Sequence, residues 1–261
     1  PKEGEQDFND INKEDDGSEK KEELKLPLPP NMNRDWKVVQ FEDDSTNSGF
    51  YSALYVNEGT HQAVLSFQGT KYLLKDLVVE DMQGVLGNSI TKQQTLAYKA
   101  TKAAVKYAKE EGFNLSITGH SLGGYLAELG IAFCHLDFNY RQVKGIVFDS
   151  PGTHTKLNTF KSNVKNLSTK FSMKKLPITT YLSAPNFVNV CHGHVGEVYR
   201  LYPHLKGLDW FDRWLQRASN VPMVGKRLET VYKGLLSITG HSLDLILALF
   251  NPATGKPLED N

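Results

Sequence analysis

Gly119-His120-Ser121-Leu122-Gly123 is the stretch on which the reading of this chain turns. Ahead of it, Asn114-Leu115-Ser116-Ile117-Thr118 is short and β-prone. Behind it, the apolar run from Gly124 to Phe133 has the length of a helix. Strand, G-x-S-x-G, helix is the context of a nucleophile elbow. The glycines let backbone segments approach where a side chain would clash. Ser121 is thereby lifted clear of the strand ends, with its oxygen over a helix N-terminus that favours developing negative charge. The same heptapeptide recurs: Ser116–Leu122 is repeated letter for letter as Ser237–Leu243. The second copy continues Asp244-Leu245, lacks the closing glycines and cannot make the tight turn. What it contributes is His241.

The bulk of the chain frames this motif. At 261 residues it is long enough for one sizeable α/β core. Net charge is zero but unevenly placed: residues 1–25 hold ten acidic and five basic side chains, so the remainder carries net +5. That excludes a strongly basic nucleic-acid surface and leaves room for attraction to anionic lipid. No apolar run approaches membrane-spanning length. The two cysteines, Cys134 and Cys191, are too few for a disulfide framework and lack metal-ligand spacing, although one bridge stays open.

Residues 1–30 read as a disordered, acidic lead-in ending in a stiff Pro-rich joint, residues 31–251 as the folded domain, and residues 252–261 as a linker or tail leading onward. Strands are expected at Trp36–Phe41, Ser52–Val56, Gln62–Phe67, Lys144–Asp149, Ile178–Leu182 and Glu197–Tyr202. Helices are expected at Ser89–Glu111, Asp209–Arg217, Lys226–Leu236 and Leu243–Phe250. After Gln68-Gly69-Thr70, the segment 71–81 places apolar residues at helical spacing between charges. It reads either as a surface helix or as a lid whose apolar face covers a hydrophobic site. From residue 150 to 196 there is no acidic residue, while Lys156, Lys161, Lys165, Lys170, Lys174 and Lys175 accumulate. Such a run reads as a solvated face or as a surface for anionic lipid. Strands alternating with helices point to a mainly parallel α/β sheet.

Serine is a poor nucleophile without a base in hydrogen-bond reach, itself oriented by a third group. In α/β-hydrolases the chain order is nucleophile, acid, histidine. His241, late in the chain and before a terminal helix, stands where that order puts the base. His120, inside the elbow, reads as a packing or hydrogen-bonding neighbour of the nucleophile.

From Gln62 to Phe250 the chain resembles the class 3 lipases, the fungal triacylglycerol lipase family of α/β-hydrolases. The resemblance rests on Ser66-Phe67-Gln68-Gly69-Thr70, Thr118-Gly119-His120-Ser121-Leu122-Gly123-Gly124, Val147-Phe148-Asp149-Ser150-Pro151-Gly152 and His194-Val195-Gly196-Glu197-Val198-Tyr199 taken in order. It implies Ser121 as nucleophile and His241 as base. It also implies the backbone N–H groups of Thr70 and Leu122 as oxyanion donors. Tyr72, Leu73, Leu74, Leu77 and Val78 would form a lid over the substrate. In one place the chain departs from the family. Where the family carries its catalytic aspartate, this chain has Asn186, in Ala184-Pro185-Asn186-Phe187-Val188-Asn189. An amide can accept the Nδ1 proton of histidine but cannot stabilise imidazolium as a carboxylate does; in serine proteases that exchange costs about 10⁴ in rate. The other supplier is Asp149, ending the preceding strand, and it is the residue assigned here as the third triad member, with Asn186 as the alternative.

The expectation is therefore an α/β-hydrolase with a mainly parallel twisted sheet, helices on both faces and a helical lid. It would hydrolyse carboxylic esters of lipids through an acyl-enzyme on Ser121, without metal or organic cofactor. The expected partners are a lipid or small ester substrate and a peripheral membrane surface, not nucleic acid. Acyl transfer to an acceptor other than water is the alternative within the same chemistry. A non-catalytic lipid- or partner-binding module is the alternative outside it.

Overall fold

A computed structural model of the chain describes residues 35–69, 91–157, 172–183, 185–186, 188–201 and 241–258. The expected lid at 71–81, Thr70, the lead-in at 1–30, half of the lysine run and the two helices expected between 209 and 236 lie outside the described residues.

Seven strands form one sheet whose spatial order follows the chain. β1 (Trp36–Asp44), β2 (Phe50–Asn57) and β3 (Gln62–Phe67) pair antiparallel, with a register shift in β1 between Val38 and Gln40. From β3 onward the pairing is parallel, through β4 (Asn114–His120), β5 (Lys144–Phe148), β6 (Ile178–Leu182) and β7 (Glu197–Arg200). Parallel neighbours need a crossover connection. The described crossovers are α1 (Lys92–Glu111), between β3 and β4, and α2 (Leu122–Leu136), between β4 and β5.

One face of the sheet is sealed. Ala63, Leu65 and Phe67 of β3, Leu115 and Ile117 of β4, Val147 of β5 and Ile178 of β6 are all buried in one core with residues of α1 and α2. α2 is apolar almost all round and is buried along nearly its whole length, as expected of a helix wedged between a sheet and a second helix. α1 lies over it: the Tyr98 ring packs 5.0 Å from that of Phe133, and Gln94 Nε2 donates to the Tyr125 hydroxyl at 2.8 Å. On the opposite face stands α3 (Leu243–Leu247), with Phe250 just beyond it, its ring 4.8 Å from Tyr181 and 6.1 Å from Phe148. Ile146, on that face, is 49% exposed. The arrangement is the α/β-hydrolase fold.

Two element ends differ from the expected ones for local reasons. α1 starts at Lys92 because Thr91, not Ser89, has Gln three residues on. The Thr91 hydroxyl accepts from Gln94 N–H and the Gln94 side chain accepts from Thr91 N–H, a complete capping box. Gly112, in the left-handed region at φ 74°, closes the other end. The terminal helix stops at Leu247 rather than Phe250 because the chain turns back: Asn251 N–H donates to Lys256 O, and Phe250 pairs with Pro257 in an antiparallel bridge. Cys134 and Cys191 are both free thiols.

The capping box generates a test. Thr91→Ala is expected to destabilise the protein by about 1 kcal/mol in denaturant unfolding, with the slope unchanged. Thr91→Ser is expected to be nearly neutral. Equal midpoints for all three proteins would show that α1 does not depend on its cap.

Candidate active site

Four of the parallel strands end on one edge of the sheet, and the candidate side chains gather there. β4 delivers Ser121 to that edge in a conformation few residues adopt: φ 57°, ψ −128°. Such backbone is costly and persists only when its surroundings fix it. Here they do so from three directions. Ser121 N–H donates to Phe148 O, at the end of β5, at 2.9 Å, and Tyr125 N–H donates to Ser121 O as the first turn of α2 begins. The turn itself closes through glycines. A Cβ on Gly119 would lie 2.2 Å from Gly123 O, and one on Gly123 would lie 2.2 Å from Phe67 O. Only hydrogen fits at either position. The second contact also brings the end of β3 against the elbow, so that Gln68 and Gly69 run beside Ser121. Leu122 opens α2, where the first N–H groups have no intrahelical acceptor and the helix dipole presents its positive end.

His241 reaches this turn from the far end of the chain. Its ring is wholly buried, with Nε2 2.8 Å from Ser121 Oγ and Nδ1 3.1 Å from Asp149 Oδ2. A carboxylate can only accept, so Nδ1 carries the proton and Nε2 is the lone pair that faces the serine hydroxyl. His120 packs against the same ring, centroids 4.7 Å apart, and its Nε2 donates to His241 O at 2.8 Å. Burial, with the neighbouring His241 adding to it, pushes His120 down to about 4, so it stays neutral near pH 7 as a hydrogen-bond donor.

Asp149 directly follows β5, with φ 43° and its N–H on Tyr181 O of β6. Its carboxylate is completely buried and ringed by donors. Oδ1 accepts from Ser183 N–H at 2.6 Å and Asn189 Nδ2 at 2.9 Å. Oδ2 accepts from Ser183 Oγ at 2.7 Å, Asn186 Nδ2 at 3.1 Å and His241 Nδ1. Burial alone would raise this carboxyl. Hydrogen bonds from His241, Asn189 and Ser183 outweigh it and hold the group below the ordinary aspartate value.

Asn186 is thus beside the carboxylate, not on the histidine. Its Nδ2 donates to Asp149 Oδ2 and to Ser183 Oγ, while its Oδ1 accepts the backbone N–H groups of Val188 and Asn189. Ser183, Asn189 and Arg200, whose guanidinium donates to Ser183 O at 2.6 Å, were not singled out from the sequence. A signal for them existed: short polar side chains follow β6 in a stretch with no carboxylate of its own. Thr70 and the lid residues Tyr72, Leu73, Leu74, Leu77 and Val78 lie outside the described residues.

Among the described residues, the one grouping with metal-ligand character is His120, Asp149 and His241, whose atoms are already engaged: His120 Nε2 on the His241 backbone O and His241 Nδ1 on Asp149. A cavity of about 500 Å³ adjoins the elbow on the α3 face, bounded by Tyr51, Tyr55, Gln68, His120, Phe148 and Leu247. Neither Ser121 nor His241 lines it, so it lies beside the site without containing the serine oxygen.

Two outcomes follow from the carboxylate. Asp149 has a folded pKa below its ordinary 3.8, so its contribution to stability is fully present above that value and is lost as pH falls through the folded one. The thermal midpoint of Asp149→Asn is therefore expected to lie well below wild type at neutral pH and to converge on it in acid. Asn186→Asp places a second carboxylate against the first. Its midpoint should drop at about pH 8 and recover towards about pH 5, as the pair takes up a proton. A midpoint equal to wild type at both pH values would remove Asn186 from the carboxylate's surroundings.

Comparison with known proteins returns no match among curated proteins. Solved structures to which the chain is similar include three fungal lipases. A Rhizomucor miehei triacylglyceride lipase is 13% identical, with a TM-score of 0.44, and the match covers 64% of this chain and 66% of that one. A Yarrowia lipolytica lipase is 16% identical, with a TM-score of 0.41 and the same two coverages, 64% and 66%. A mono- and diacylglycerol lipase from Aspergillus oryzae is 15% identical, with a TM-score of 0.43 and 63% of each chain covered. The chain thus spans just under two thirds of the length of the lipases it matches. Residues 34–179, more than half of the chain, match a single family, and by that match the chain belongs to the Mbeg1-like family.

Proposed function

We propose that this chain is a serine esterase that cleaves carboxylic esters of lipids. The observation that carries this reading is the unbroken hydrogen-bond chain Ser121–His241–Asp149, at 2.8 and 3.1 Å, on a strained turn at a helix N-terminus. A buried imidazole between a hydroxyl and a fully ligated carboxylate is the arrangement that turns a serine into a nucleophile.

In the proposed reaction Ser121 Oγ attacks the ester carbonyl carbon and its proton passes to His241 Nε2. Asp149 keeps Nδ1 protonated and stabilises the imidazolium that forms. The carbonyl oxygen becomes an oxyanion, for which the Leu122 N–H at the start of α2 is one donor and the Thr70 N–H the other. Collapse of the tetrahedral adduct breaks the ester C–O bond. His241 gives its proton to the departing alkoxide, leaving an acyl-Ser121 ester. Water, deprotonated by the same Nε2, attacks that ester and releases the carboxylic acid. Collapse of the second adduct breaks the bond to Ser121 Oγ, and Nε2 passes the proton taken from water to that oxygen, replacing the serine proton that left on the alcohol.

For a lipid ester, support comes from the sequence: the apolar periodicity of residues 71–81 directly after the oxyanion strand, and the carboxylate-free, lysine-rich span of residues 150–196. Peripheral contact with an anionic membrane surface belongs to the same proposal.

Ser121→Ala is expected to abolish both hydrolysis of p-nitrophenyl esters and labelling by a fluorophosphonate probe, with the thermal midpoint nearly unchanged. His241→Ala should be about as damaging, and the double variant no worse than either. Asp149→Asn should lower kcat/KM by about 10³–10⁴, and Asn186→Ala by much less. A wild-type chain that labels no faster than a surface serine would leave a binding module in place of an esterase.

A further inference from the structure

Among the described residues, Glu128 is the one buried carboxyl that the proposed reaction leaves without a task. It lies on α2 seven residues beyond Ser121, about two turns along, and is completely buried. Among the described residues, nothing cationic is bonded to it; hydroxyl and amide groups face it instead. Thr153 Oγ1 donates to Glu128 Oε2 at 2.6 Å, and the Ser150 hydroxyl and Thr153 N–H stand close enough to draw its pKa down. Those donors come from 150–153, the loop that begins at the residue after Asp149.

The loop is held on its other side as well. Gly152, at φ 85°, donates its N–H to Ser150 Oγ and packs so closely that an added Cβ would lie 2.6 Å from Gly193 O. Pro151 O accepts from His192 N–H, and Gly193 O accepts from His154 N–H. The turn after β5 is therefore clamped between α2 and the 191–193 loop. Asp149 sits at its root with φ 43°, a conformation its own side chain does not favour. α2 also begins with Ser121. The same helix therefore fixes the nucleophile at its first turn and the acid's loop two turns later.

We infer that Glu128 is a positioning residue of the site: through Thr153 it fixes the loop that sets Asp149, and through Asp149 the ring of His241. This rests on the esterase reading above. Burial pushes the Glu128 carboxyl up to about 7, with the Thr153 and Ser150 hydrogen bonds drawing it back, so the anionic acceptor is present at mildly alkaline pH. A helix residue at this depth with ordinary packing duties would be apolar. An acceptor there is explained by the donors it gathers.

Thr153→Val removes the donor at nearly constant volume, and Thr153→Ser retains it. In the full chain, two quantities are measured: the rate of fluorophosphonate labelling and the low-field proton NMR resonance of the His241 Nδ1–H. Thr153→Val is expected to slow labelling about ten- to hundredfold and to shift or broaden the resonance. Thr153→Ser should keep both close to wild type, and Glu128→Gln should follow the valine variant. Wild-type labelling and an unmoved resonance in both Thr153→Val and Glu128→Gln would overturn the inference, whatever their thermal midpoints. If wild type itself does not label, the esterase reading fails, and the resonance alone decides the positioning role. If Thr153→Val does not fold, the resonance of Glu128→Gln decides it.

Discussion

The arrangement at the sheet edge depends on one buried charge. Asp149 carries its carboxylate in a place water does not reach, on backbone that an aspartate adopts at a cost. A bare carboxylate there would take up a proton, and a neutral acid would leave the histidine without its electrostatic partner. Five hydrogen bonds keep it ionised: two from Ser183, one each from Asn186 and Asn189, and one from His241. Four of the five come from the loop after β6. That loop can reach only because β5 and β6 are parallel neighbours in a register that sets Phe148 opposite Tyr181, with Asp149 N–H bonded to Tyr181 O.

Seen from this charge, the departure at Asn186 is a necessity rather than a loss. A carboxylate at residue 186 would stand about 3 Å from Asp149 Oδ2, and two carboxylates at that separation cannot both stay ionised. With the acid on β5, the position after β6 has to supply donors instead. Asparagine does this while its own oxygen accepts the N–H groups of Val188 and Asn189, so the amide also folds the loop that carries it. The serine's backbone joins the same neighbourhood through its bond to Phe148 O, the residue before Asp149. Ser121 and Asp149 are then set by adjacent strands, and only His241 has to come from afar.

What the sequence could and could not disclose follows from the range of each interaction. The elbow was readable because its constraint is local: glycines at fixed offsets between a strand and a helix. The central strands were readable because burial on a helix-covered face imposes apolar alternation. β1 ran longer than expected, since it continues into Glu42, Asp43 and Asp44, polar residues that carry no apolar signal but pair around a turn with Ser52, Tyr51 and Phe50, which lengthens β2 as well. The donors to Asp149 left only a faint trace, short polar residues after β6 with no carboxylate among them. Ser183, Asn186 and Asn189 are ordinary turn residues until β5–β6 pairing brings them to a carboxylate 34 to 40 positions earlier. Glu128 was hidden for the opposite reason. A lone glutamate in a helix reads as a solvent-facing charge, and only the near-total burial of α2 makes it a core residue.

The two buried carboxyls show what decides the state of such a group. Both lie in the same core edge and both lose their water. Asp149 gathers enough donors to overcome burial, and its pKa falls. Glu128 has fewer, one of its oxygens finding no hydrogen-bond partner among the described residues, and burial prevails. The signs of their linkage to folding are opposite. The contribution of Asp149 is lost as pH falls through its depressed value. The raised pKa of Glu128 makes its contribution greatest below the ordinary glutamate value of 4.5, and that contribution is lost as pH rises through about 7. An anion held by excess donors is therefore placed where charge must stand beside the histidine, and an under-supplied one behind it, where only the loop's geometry is at stake. The count of hydrogen-bond donors tells the two carboxyls apart.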